Sequence, residues 1–191
     1  QDLLQSSFVI TQEPPLVVHP RVDLSVRLLG LGWSNLGLAG LVSAKLVSED
    51  TAAKILQGGL NPASKAVPLE RKGFDTLDEK NKELETKDDQ SYGADFHKTK
   101  LKVENRRSGA VKGAPPAILK KYHVVFNTEV ELVGRRFSLY AVSQPFLVSV
   151  HGNQNQGLWG SIIWDVGFPV NWSTVPLKGR EEVTWGELEQ I

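Results

Sequence analysis

The 191-residue chain contains no cysteine and no methionine. Without cysteine there can be no disulfide and no thiolate metal centre, and the composition fits a reducing compartment. The loss of both residue types, with Gln1 in first place, suggests an excised or designed chain. Long apolar runs are missing too. No stretch approaches the about 20 residues of a membrane span, and the N-terminus lacks the basic-then-apolar pattern of an export leader. No membrane partner is expected, and the sequon Asn171-Trp172-Ser173 reads as a chance match.

Catalytic signatures are equally scarce. The four histidines, His19, His97, His123 and His151, show no metal-ligand spacing, and His123 falls in an apolar strand where a structural role is expected. There is no nucleophile elbow, no zinc-protease helix and no phosphate-binding Gly-Lys-Ser/Thr loop. Gly30-Leu31-Gly32 lacks the third glycine and the acidic partner of a dinucleotide site. The expectation is a binding protein with no catalytic residue, no metal and no cofactor.

Net charge is also absent, with 22 basic against 22 acidic residues. A zero sum argues mildly against an acidic partner such as DNA, but distribution matters more. From Asp75 to Asp89 there are seven acids against three lysines, and from Lys98 to Lys121 eight bases against one acid.

What is present reads as all-β. Ser7 to Gln12, Val22 to Leu29, Leu41 to Val47 and Ala94 to Val103 carry the β-branched or alternating pattern of strands. Tyr122 to Leu132, Arg136 to Val142 and Pro145 to Val150 follow at the short spacing of a sandwich or barrel, with a turn at Val133-Gly134-Arg135. One interior helix is predicted over Thr51 to Gln57, capped by Ser48 or Asp50 and stopped by Gly58-Gly59. Arg71 to Gln90 has too few apolar residues to offset its ordering entropy and reads as a mobile surface loop. Phe126, Trp159 and Trp164 are expected in the core, with the apolar run Trp159 to Trp164 returning the chain to it. Thr184-Trp185-Gly186-Glu187 matches a capping box, predicting a helix cut off at Ile191.

Two segments could touch nucleic acid. His151-Gly152-Asn153-Gln154-Asn155-Gln156-Gly157 offers side-chain amides, which pair bidentately with adenine, and glycines that allow close approach to a groove. The competing reading is a plain polar turn. The basic stretch with Lys100, Lys102, Arg106 and Arg107 reads as a phosphate patch, a nuclear-import patch for import factors, or a solvated face.

These blocks, in this order, resemble the DNA-binding domain of the STAT transcription factors. Phe8-Val9-Ile10 with Gln12-Glu13-Pro14-Pro15 looks like the opening strand "FVVE-QPP", and Val26-Arg27-Leu28-Leu29 like "VRLL". Ser64-Lys65-Ala66-Val67-Pro68-Leu69-Glu70 is similar to the segment whose lysine approaches DNA, and Val125 to Val130 to the "F-TEV" strand. Most specific is Val148 to Asp165, VSVHGNQNQGLWGSIIWD, which looks like "VVIVHGNQ…A-ILWD" in the branch that carries His where others carry Asn.

The resemblance implies an immunoglobulin-like β-sandwich over residues 1–180 and the start of a linker domain over 181–191. The coiled coil, SH2 domain and tyrosine tail would lie outside this chain. It implies His151, Gly152, Asn153 and Gln154 at base edges, Ser64 and Lys65 near backbone and bases, and a TTC…GAA palindrome read by a phosphotyrosine-bridged homodimer shuttling between cytoplasm and nucleus. Leu119-Lys120-Lys121 departs from the family's Thr-Glu-Glu, trading acids for bases, so Lys120 and Lys121 are expected on phosphates. The acidic insertion from Asp75 to Asp89 has no counterpart. Two other readings stay open: an immunoglobulin-like module that binds another protein, and an engineered sandwich that keeps the fold without DNA specificity.

Overall fold

The computed structural model describes residues 2–29, 36–37, 40–62, 76–78, 80–88, 91–103, 120–132, 134–149, 158–160 and 162–163. Within them the chain forms an all-β immunoglobulin-like sandwich with few, short helices. In chain order the elements are α1 (Asp2–Ser6), β1 (Phe8–Gln12), β2 (Val17–Val18), β3 (Arg21–Leu28), β4 (Leu36–Gly37), β5 (Leu41–Ser48) and α2 (Glu49–Leu56). There follow β6 (Thr76–Leu77), β7 (Asn81–Glu83), β8 (Glu85–Thr86), β9 (Tyr92–Lys102), β10 (Lys121–Leu132), β11 (Arg135–Val142) and β12 (Phe146–Val148).

The first sheet runs β1-β3-β9-β6, with β8 also on β9; the second runs β2-β12-β10-β5-β7, with β11 and β4 also on β10. Alternation explains the layering. In β10, Val124, Phe126 and Val130 point to the other sheet and meet Val26, Leu28, Ala94 and Phe96 in one core. Phe96 and Phe126 join the sheets directly, with ring centroids 5.6 Å apart. Val125 and Val47 point the other way and pack under Ala52 and Ile55 of α2, so β10 is buried on both faces where the helix covers it.

Helix α2 ends as its sequence predicts. Gly58 takes φ +74, and Gly58 and Gly59 donate to the carbonyls of Ile55 and Lys54 at 3.0 and 2.9 Å. At its start, Ser48 occupies the N-cap position, but its hydroxyl lies 3.1 Å from the Thr51 hydroxyl instead of capping a backbone N–H. Gly134, at φ +71, makes the β10–β11 turn.

Two expectations change. Thr76 to Lys87 is not a free loop: it laces the sheets together, pairing as β6 with β9, as β7 with β5 and as β8 again with β9. Leu77 is fully buried and Leu84 packs on the core, so two apolar side chains suffice when strand pairing supplies the rest. Secondly, residues 158–160 and 162–163 are helical; Leu158 is buried, but Trp159 and Ile163 are 48% and 50% exposed. Among the described residues the core anchor is Leu158, just before the expected run, and a helical period sends Trp159 and Ile163, four apart, to one outer side. Trp164 and the helix expected from Thr184 lie outside the described residues.

Candidate nucleic-acid interface

The strand register gathers several chain ends at one end of the sandwich. Lys121 pairs with Leu147 and Tyr122 with Phe146, antiparallel, so one further step brings Lys120 level with Val148. Val148 and Ser149, the last described residues before the amide-rich segment, therefore stand beside the two lysines. Their position is fixed by β2, which runs parallel to β12: the Leu147 N–H donates to Leu16 O at 2.9 Å and the Ser149 N–H to Val18 O at 2.8 Å. Ser149 on one side of the segment and Leu158 on the other are both buried. His151, Gly152, Asn153 and Gln154 themselves lie outside the described residues.

Lys120 and Lys121 are half-buried rather than free. The Lys120 ammonium stands 5.1 Å from the Tyr122 ring centroid, and Lys121 Nζ lies 3.7 Å from Glu49 Oε1. The flank of Ser64 and Lys65 takes a different course. Pro62 O accepts the Lys45 ammonium at 2.9 Å on the outer face of the second sheet, where Lys45 pairs with Val125, four residues inward from Lys121. Burial lowers the pKa of Lys45. Ser64 and Lys65 lie outside the described residues, as do Arg106 and Arg107. Lys100 and Lys102 are exposed on β9, at the same end as Lys120, because the Leu101 N–H donates to Pro20 O at 2.8 Å, two residues from Val18.

Behind Lys121, a polar network locks the β11–β12 junction. Ser143 O lies 2.7 Å from His123 Nδ1, the Ser143 hydroxyl accepts the Val124 N–H at 2.8 Å, and the Gln144 N–H donates to Glu13 Oε2 at 3.1 Å. Burial raises the pKa of Glu13 against that N–H and the nearby His123 ring. His123 is thus a satisfied structural histidine, as its apolar strand predicts. Among the described residues no three His, Asp or Glu side chains gather to hold a metal, and no helix is long and apolar enough to cross a membrane.

The chain is similar to the signal transducer and transcription activator of Drosophila melanogaster. The two are 22% identical over 191 residues, an alignment that takes in 98% of this chain and 25% of that protein. The chain thus spans about a quarter of the length of this relative. No family model matches it.

Sequence reading missed one local feature of this end. In β9 the inward positions are Ala94 and Phe96, then Thr99 and Leu101, so the alternation changes phase between them. That slip is visible in the sequence as apolar residues on even numbers giving way to odd ones, with lysines taking over the even positions.

Proposed function

We propose that this chain is the sequence-selective DNA-binding domain of a STAT-type transcription factor, acting by binding and not by catalysis. The observation that carries the reading is the register that brings Val148 and Ser149, leading into the amide-rich segment, alongside Lys120 and Lys121 at one end of the sandwich. Groups that read base edges then emerge next to groups that attract phosphate, which is the division of labour a specific interface needs. The likeness to a transcription activator along the whole chain supports it.

In this reading His151, Asn153 and Gln154 meet base edges in the major groove, Gly152 permits the approach, and Ser64, Lys65, Lys120 and Lys121 hold the backbone. The site is a TTC…GAA palindrome, one half per subunit of a dimer joined through domains outside this chain. The protein works in the nucleus and waits in the cytoplasm. A single domain engages one half-site, so it binds more weakly than the linked pair.

The test is fluorescence anisotropy against a TTC…GAA duplex and a scrambled duplex across a salt series. Preference for the first is expected to survive rising salt. His151→Ala with Asn153→Ala should erase it, each lost bidentate pair being worth about 1–3 kcal/mol of discrimination. Equal, salt-sensitive binding of both duplexes by the unaltered domain would sink base readout and leave a sandwich that binds other partners.

A further inference from the structure

We infer that the outer face of the first sheet carries a second phosphate-binding row, Arg21, Lys98, Lys100 and Lys102, which tracks the DNA backbone beyond the bases read. This deepens the DNA-binding reading and rests on it. The row is created by a β-bulge. Val22 pairs with Thr99 and Leu24 with Phe96, so the single residue Asp23 faces two, His97 and Lys98. Lys98 is held at φ 50, a conformation that favours glycine, by its N–H bond to Asp23 Oδ1 at 2.7 Å.

The extra residue reverses which side chains point out. Without it Lys98, Lys100 and Lys102 would share the face of Ala94 and Phe96 and be driven into the core. With it Thr99 and Leu101 are buried and all three lysines are exposed. Arg21, also exposed, pairs directly with Lys100 and so stands beside it on the same face.

Two carboxylates lie close by, Asp23 and Asp78, but each spends an oxygen on the β9 backbone: Asp78 Oδ1 accepts the Lys100 N–H at 2.6 Å. Among the described residues none of the four cationic heads is in an ion pair, so the row stays net positive. Its geometry suits a nucleic-acid backbone. Lysines at alternate strand positions are about 6.6 Å apart, close to the about 6.8 Å axial rise of two nucleotides in one strand.

The row is continuous with the reading end, since Leu101 bonds to Pro20 and Val18 to Ser149. It therefore extends the interface outward instead of forming a separate one. Duplex DNA flanking the half-site is the occupant that this continuity favours.

The experiment compares two duplexes with the same TTC…GAA centre, one ending at the site and one extended on each side by about one helical turn, about 10 base pairs. The variant is the triple substitution Lys98→Gln, Lys100→Gln, Lys102→Gln, with its melting temperature as a check on folding. On the long duplex the slope of log K against log salt should fall by about 2–3, near 0.9 per lost phosphate contact. On the short duplex slope and sequence preference should stay as they are. Equal slopes for variant and unaltered domain on the long duplex would overturn the row. If the unaltered domain binds long duplexes without sequence preference and the variant still loses slope, the row stands and base readout falls. Binding to neither duplex by the unaltered domain overturns both.

Discussion

Between Val125 and Leu132 the β10–β11 hairpin makes eight consecutive antiparallel pairs, whereas the lace from Thr76 to Lys87 never pairs more than three consecutive residues with one partner. The hairpin is held by what its sequence displays: alternating β-branched and aromatic residues over a shared core. The lace is held by position. Two leucines pin it to the core, its backbone bonds to strands of both sheets, and charge fastens its end. Lys87 Nζ lies 2.8 Å from Asp95 Oδ2, and Asp95 Oδ1 takes Arg27 and the Ser25 hydroxyl, each at 2.7 Å. Burial works against ionising Asp95, yet the hydrogen bonds from Lys87, Ser25 and Arg27 outweigh it and hold the carboxyl far below the usual range. Lys87 is raised in turn, chiefly by its hydrogen bond to Asp95. A polar, acidic segment can thus be as ordered as a hairpin if its few anchors are well placed.

The comparison can be broken at three strengths. Phe126→Ala removes the ring that meets Phe96 between the sheets and should cost about 3–5 kcal/mol in urea unfolding. Leu77→Ala should cost about 2–4 kcal/mol if the lace is pinned as described; a loss near zero would return it to a surface loop. Asp95→Asn should cost about 1–2 kcal/mol at neutral pH. The sign of its pH dependence follows from the depressed carboxyl. The stabilisation is complete above the unfolded value of about 3.9 and is lost as pH falls below it. Variant and unaltered domain should therefore converge in strong acid, and a gap that stays constant from pH 7 to pH 2 would count against the charged clasp.

The long strands were legible because each buries a face, so β1, β3, β5, β9, β10 and β11 lie where alternation put them, within a residue or two at each end. The lace was not, since segments of two or three residues show no period and Leu77 and Leu84 look isolated in a charged run. Trp159 misled for a related reason: an apolar residue reads as core until a helical turn sends it outward. Of the candidate site, the strand register brings Lys120 and Lys121 level with Val148 and Ser149, a neighbourhood that pairing creates between residues almost thirty positions apart and that no local pattern displays. The face on which Lys98, Lys100 and Lys102 stand was missed although the change from even to odd apolar positions marks it, because reading Ala94 to Val103 as one unbroken strand leaves out the one-residue slip that inverts every side chain after it.

The central place of β10 also sets a timetable for the nascent chain. β5 ends at Ser48, yet its main partner begins at Lys121. At translation rates of about 5–20 residues per second, the intervening residues keep that apolar edge waiting for about 4–15 s. Throughout that interval the edge of β5 that will take β10 is a template for any neighbouring chain. Lys45, placed in the middle of it, charges that edge and discourages a wrong partner before it anchors Pro62 in the finished fold.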